Sequence, residues 1–207
     1  MTLETLTVGY LSSNCYILYT DNAVIIDPGA ESERIIRTID KLSVPVSHII
    51  YTHAHWDHIG AGYDVKSHTG AEVLLGKRDL DIFHHFRSKM EIKLGAEVRP
   101  AEPDRLVEDG DIIKSGSMEL KIMETPGHTP GGISINTNGM LFSGDVIFYN
   151  SIGRTDLPGG SMDELKDSIL NKIYKLDDNV EIFPGHGSTT TIGREKQENP
   201  FIRSGTL

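Results

Sequence analysis

The chain has 207 residues, of which 38% are hydrophobic and 24% charged. That is enough for one domain with a sizeable core, and the composition is not that of a disordered segment. Its 30 Asp and Glu outweigh 20 Lys and Arg for a net charge of −10, and no Lys/Arg run offers a surface to a phosphate backbone, so nucleic acid is excluded as a partner.

A single cysteine, Cys15, rules out an internal disulfide and, within the run Cys15-Tyr16-Ile17-Leu18, reads as a small buried hydrophobe. Met1-Thr2-Leu3-Glu4 opens no signal peptide, and no apolar run reaches the roughly 20 residues of a membrane span. A cytoplasmic protein without a membrane partner is expected.

In chain order, Leu3 to Val8, Asn14 to Tyr19 and Ala23 to Ile26 read as short strands, with Asp21-Asn22 as a turn between the last two. Asp27-Pro28-Gly29 stops the third strand. Glu31 to Leu42 places Ile35, Ile36, Ile39 and Leu42 at helical spacing, and Val46 to Thr52 is a buried-type strand. A helix is expected over Asp57 to His68, a strand over Glu72 to Leu75 and a helix over Lys77 to Leu94. Strand-like pieces return at Asp111 to Ile113, Met118 to Glu124, Gly132 to Asn136 and Met140 to Phe142, with Thr137-Asn138-Gly139 as a hairpin signal. Met162 to Leu176 reads as an amphipathic helix, Glu181 to Phe183 as a strand, and Thr190 to Asn199 as a helix stopped by Pro200. No linker divides the chain, so residues 1–207 are expected to form one α/β domain of two packed sheets with helices outside.

The densest chemistry is Thr52-His53-Ala54-His55-Trp56-Asp57-His58, directly after the strand Val46 to Tyr51. On an extended chain, residues two apart face the same side, so His53 and His55 face one point. Asp57 and His58 follow where the chain turns into a helix. Imidazole and carboxylate together suit zinc, iron and manganese. An N-cap role is the alternative for Asp57, and packing is the ordinary role for Trp56. His128 in Pro126-Gly127-His128-Thr129-Pro130-Gly131, Asp145 in Ser143-Gly144-Asp145 and His186 in Pro184-Gly185-His186-Gly187 each sit where a strand runs into a Gly-containing turn. His48, His68, His84 and His85 lie outside these motifs.

With these residues in hand, the chain resembles the metallo-β-lactamase-fold hydrolases, and within them the glyoxalase II (hydroxyacylglutathione hydrolase) group. The likeness runs from Asp27-Pro28-Gly29 through His-x-His-x-Asp-His to Gly185-His186-Gly187 and Thr190-Thr191-Ile192-Gly193. It implies an αββα sandwich of two mixed sheets. It implies two divalent metal ions, zinc ranking first and iron or manganese also fitting. His53, His55 and His128 would hold one, Asp57, His58 and His186 the other, and Asp145 would bridge them. The bridging aspartate sets the pattern apart from true β-lactamases. The implied reaction is attack of a hydroxide shared by the two ions on a small-molecule thioester or ester, with Asp57 and Asp145 as the catalytic carboxylates; S-D-lactoylglutathione is the family's substrate.

Arg154, in Gly153-Arg154-Thr155-Asp156, matches a glutathione-binding lysine of the group and keeps its charge. Asp156 replaces a tyrosine of that pattern, the tyrosine expected after His186 is missing, and the chain ends soon after Pro200-Phe201, without the helical domain of full-length glyoxalase II. The Gly-Arg-Thr-Asp stretch also resembles the persulfide dioxygenases of the superfamily, which use a single iron. Lactone or other ester hydrolysis is a third reading. The oligomeric state is open.

Overall fold

The computed structural model describes residues 1–85 and 98–203. Strand β2 (Ser13–Tyr19) shows how the sequence makes layers. Its run of apolar residues is buried on both faces: Cys15 and Ile17 point one way, toward helices, and Tyr16 and Leu18 the other, toward a second sheet. The two-residue period of a strand turns one continuous hydrophobic stretch into the floor of two different cores.

The first sheet has the spatial order β1 (Thr2–Val8), β2, β3 (Ala23–Ile26), β4 (Val46–Tyr51), β5 (Glu72–Gly76) and β6 (Arg105–Val107). β1 to β3 pair antiparallel; β3 to β6 run parallel. The second sheet runs β14 (Thr190–Thr191), β13 (Glu181–Pro184), β10 (Met140–Gly144), β9 (Ile133–Thr137), β8 (Met118–Glu124), β7 (Ile112–Ser115), antiparallel except for the β10–β13 pair. A separate hairpin joins β11 (Ile147–Phe148) to β12 (Ser151–Ile152).

Between the sheets pack Tyr16, Leu18, Ile26, Ile50 and Leu74 from the first and Leu120, Ile122, Ile135, Phe142 and Phe183 from the second. Outside the first sheet lie α1 (Ser32–Leu42), which buries Ile35 and Ile39 one turn apart, and α3 (Gly62–Thr69), which buries Val65. Outside the second lie α5 (Met162–Asp167, continued by a π turn at Ser168–Lys172 and a 3-10 turn at Ile173–Lys175) and α6 (Ile192–Glu198). These are the four layers of an αββα sandwich with two mixed sheets, the expected architecture.

Local departures have physical causes. The helix expected over Asp57 to His68 is two helices, α2 (Trp56–Ile59) and α3. Between them Gly60 presses on the carbonyl of Gly29, with no room for a Cβ, and Ala61 N donates to Pro28 O at 2.9 Å. The break docks this segment on the Asp27-Pro28-Gly29 turn. Of the helix expected over Lys77 to Leu94, Lys77–Asp79 is a 3-10 turn and residues 80–85 are helical (α4); the remainder lies outside the described residues. No period announces the short strands β6, β11, β12 and β14, and β14 takes Thr190–Thr191 from the helix expected over Thr190 to Asn199, which begins at Ile192. The Asn138-Gly139 turn has the two positive φ values, 46° and 79°, that such a hairpin demands. No helix among the described residues is long and apolar enough to cross a membrane.

Cys15 is fully buried, and burial pushes its thiol far above the ordinary range. A normal thiol, ionising near pH 8.5, alkylates roughly tenfold faster for each pH unit gained below that point. The folded protein is expected to resist iodoacetamide at both pH 7 and pH 9 and to react fully in denaturant, as mass spectrometry would show.

Candidate metal centre

The centre is assembled at one edge of the sandwich, from loops that leave β3, β4, β8, β10 and β13. The loop after β4 is fixed first. Asp27, just past β3 and held in the left-handed region at φ 52°, accepts hydrogen bonds from Thr52 N (2.7 Å) and Thr52 Oγ1 (2.6 Å). Its Oδ2 also takes the Nδ1 proton of His58 at 2.9 Å. Such a backbone conformation at a non-glycine residue is strained and persists only where the surroundings impose it. Ile133 N donates to Thr52 O at 2.8 Å, which ties this loop to the second sheet.

The β13 loop is held from β2: Asn14 Nδ2 donates to Pro184 O (3.0 Å) and Gly187 O (2.9 Å), and Tyr16 OH donates to Pro184 O (2.7 Å). Gly185 lies against Asp145 Oδ1 and His58 Cε1, so that a Cβ would fill the space where the ligand atoms meet. Only glycine leaves that space open.

Three groups of ligand-type atoms result: a first, His53, His55 and His128; a second, Asp57, His58 and His186; and Asp27 with His53 and His58, which overlaps both. In the second group, His58 Nε2 is 3.2 Å from His186 Nε2 and 3.4 Å from Asp57 Oδ2, while His186 Nε2 is 3.2 Å from that same oxygen. A tetrahedral ion with bonds of about 2.0–2.1 Å sets its ligand atoms roughly 3.3–3.4 Å apart, so this triangle has the edges of one coordination face. In the first group His128 Nε2 and His55 Nδ1 are 2.8 Å apart. Asp145 stands between the groups. Its Oδ2 is 3.6 Å from both His128 Nε2 and His186 Nε2, and its Oδ1 is 3.5 Å from His58 Nε2. All seven residues singled out in the sequence are therefore brought together. The N-cap of α2 is His55 rather than Asp57, whose carboxylate faces the histidines.

The residues fit divalent metal on an independent observation. His53 Nε2 and Asp145 Oδ1 are buried and have no hydrogen-bond partner, a costly state for polar atoms that a cation relieves. The far sides of the His128, His186 and His58 rings are anchored as in metal-binding histidines. His128 Nδ1 donates to Arg154 O at 2.8 Å, His186 Nδ1 to Leu11 O at 3.1 Å and His58 Nδ1 to Asp27, which turns each Nε2 lone pair inward. The two groups differ electrostatically. Burial, reinforced by neighbouring histidines, drives His53 far down and His55 to about 3, so these rings are neutral and ready to ligate. In the other group burial is overcome: Asp145 and Asp27 raise His58, and Asp57 raises His186. Hydrogen bonds from His186 and His58 in turn hold the Asp57 carboxyl well below the usual range against burial. An ion bound there would displace the protons on His58 and His186.

The centre floors a cleft of about 610 Å³ walled by Leu11, Trp56, Phe148, Ile152, Leu157 and Pro158. Trp56 is thus a cleft residue as well as a packing one. Arg154 reaches the same cleft, but its guanidinium is engaged: Nε and Nη2 donate to Asp156 at 2.7 and 2.8 Å in a bidentate, exposed pair. His48 bonds Ser47 and faces Glu72, and His68 pairs with Asp40; both lie apart from the two groups. Sequence reasoning missed Asp27 as a support, because Asp-Pro-Gly after a strand reads as a turn. It missed Asp79 entirely, within the charged Lys77-Arg78-Asp79.

The sequence pattern of the metallo-beta-lactamase superfamily matches residues 8–186, and the chain belongs to that superfamily. It is 38% identical to the hydroxyacylglutathione hydrolase GloC of Haemophilus influenzae over 99% of both chains. Among solved structures, it superposes on BLEG-1 B3 metallo-beta-lactamase with a TM-score of 0.87 at 35% identity, covering 97% of this chain and 99% of that one. It superposes on ETHE1 from Myxococcus xanthus with a TM-score of 0.80 at 28% identity, covering 97% and 84%.

Asp145 touches both groups, so Asp145→Ala is expected to weaken divalent-metal binding at each by roughly 10–100-fold. Calorimetric titration of zinc into metal-free protein measures this, and wild-type affinity at both sites would detach Asp145 from them.

Proposed function

We propose that the chain is a metal-dependent thioester hydrolase of the hydroxyacylglutathione type, with S-D-lactoylglutathione as its first candidate substrate. His53, His55 and His128 would hold one divalent ion and Asp57, His58 and His186 a second, with Asp145 in reach of both groups. Zinc, iron and manganese all suit these ligands. The observation that carries the reading is the placement of Asp145: at the floor of one cleft, its Oδ2 lies 3.6 Å from His128 Nε2 of one group and 3.6 Å from His186 Nε2 of the other. The thioester part is supported by the full-length likeness to a hydroxyacylglutathione hydrolase.

Bound divalent ions supply Lewis acidity, acidifying water and offsetting the charge of an oxyanion. The chain's own residues do the rest. Asp57, held ionised, accepts a hydrogen bond from the attacking water and orients it. Trp56, Phe148, Ile152, Leu157 and Pro158 enclose the acyl group and keep bulk water from it. Arg154, at the same cleft, offers its guanidinium to a substrate carboxylate in exchange for Asp156.

A second reading has its own support. Gly153-Arg154-Thr155-Asp156 resembles the persulfide dioxygenases, and ETHE1 from Myxococcus xanthus is a structural neighbour. A single iron and oxygen would then replace the hydrolytic pair.

Oxygen separates the two. Metal-loaded protein is expected to hydrolyse S-D-lactoylglutathione anaerobically, followed by loss of thioester absorbance, and to leave a β-lactam chromophore intact. No anaerobic turnover, with oxygen consumed in the presence of glutathione persulfide, would replace the hydrolase by the dioxygenase. In the hydrolase, Arg154→Ala is expected to raise KM for S-D-lactoylglutathione roughly five- to tenfold with little change in kcat, the loss of one exposed charge-assisted contact. An unchanged KM would remove Arg154 from substrate binding.

A further inference from the structure

Asp79 ends the 3-10 turn after β5, between loops that leave two different sheets. Its neighbours Lys77 and Arg78 are exposed, yet Asp79 itself is completely buried. Its Oδ2 accepts from Ala54 N at 2.9 Å and from Thr129 Oγ1 at 2.8 Å, and its Oδ1 accepts from Gly131 N at 2.6 Å. Each donor flanks a ligand-type histidine: Ala54 lies between His53 and His55, and Thr129 and Gly131 follow His128. No cation is among the donors. The turn is packed tightly on the 129–131 loop, since a Cβ on Gly131 would meet the backbone of Arg78 and Asp79.

A carboxylate buried without a cation is expensive, and neutral donors offset the cost only in part. Its location explains its presence. The three histidines of the first group come from the end of β4 and the end of β8, and Asp79 is a single group that hydrogen-bonds both loops. The second group has a counterpart in Asp27, which accepts from His58 Nδ1 and also from Thr52 N on the other side of His53.

We propose that Asp79 is a positioning residue for the first metal ion: it fixes His53, His55 and His128 at ligating distance by holding both loops through Ala54, Thr129 and Gly131. The inference rests on the reading of these histidines as metal ligands. Asp79→Asn keeps the shape but replaces one acceptor oxygen by an amide that faces an N–H donor. Thr129→Val removes one of the three bonds and keeps the volume. Glu195→Gln is the control: Glu195 is equally buried and bonded to Thr190, Arg194, Asn199 and Asn150 N, none of them in these loops.

Zinc is titrated calorimetrically into the metal-free protein and each variant, with thermal unfolding measured alongside. Asp79→Asn is expected to weaken one of two binding events at least tenfold and leave the other within twofold; Thr129→Val is expected to weaken the same event less. Glu195→Gln is expected to lower the Tm and change neither event. Two unchanged events in Asp79→Asn, or both weakened together with a fall in Tm like that of Glu195→Gln, would overturn the positioning role while leaving the metal reading intact. Wild-type protein that takes up no ion would overturn the metal reading and this inference with it.

Discussion

His53 sits on a peptide gripped from both sides. Its preceding residue donates Thr52 N to Asp27, and its following residue donates Ala54 N to Asp79. Neither carboxylate belongs to the loop it holds, and both are buried at the ends of neighbouring strands. A loop leaving a strand has no ladder to satisfy its backbone donors, so without these acceptors it would have to stay near water. The grip lets the segment carrying His53, His55, Asp57 and His58 lie inside the protein. Asp27 then reaches on to His58 and sets its ring, and Asp79 reaches on to Thr129 and Gly131 and sets the His128 loop. Ligands from different strand ends thus share a few fixed acceptors.

The arrangement is rigid where it converges and costly in the absence of a cation. Asp27 keeps a left-handed backbone, imidazole nitrogens approach each other within hydrogen-bond distance, and polar atoms of His53 and Asp145 are left without hydrogen bonds. Strain and desolvation of this kind persist only when the surrounding packing over-determines them. Here the surroundings are the two sheets, joined by Ile133 N to Thr52 O and by Asn14 to the β13 loop. The pit is a preorganised receptor for positive charge, which agrees with the acidity of the chain.

Much of this was legible from residue order. Period-two alternation and short apolar runs gave the strands, and the His-x-His-x-Asp-His segment announced itself by ligand density. His128, Asp145 and His186 were found because each follows a strand through a glycine, and Gly185 shows why that glycine is needed. Asp27 and Asp79 were not found as supports. A carboxylate that accepts backbone hydrogen bonds from a loop far along the chain leaves no local pattern: one was hidden in a turn signal, the other among exposed charges. The break between α2 and α3 was hidden likewise, because Gly60 is spent on contact with Gly29 rather than on any turn of its own.

The wall of the cleft has a different relation to the centre. Phe148, Ile152, Arg154, Leu157 and Pro158 lie on one excursion of the chain, between Asp145 and α5. It meets the centre where His128 Nδ1 donates to the carbonyl of Arg154, a main-chain contact that any side chain at position 154 would leave in place. On the proposed reading, most of the recognition surface is therefore separable from the ligand segment, with Trp56, between His55 and Asp57, the exception. A lineage built on this scaffold is free to exchange its clientele by rewriting a short surface segment, while the deep histidines keep one unaltered anchor.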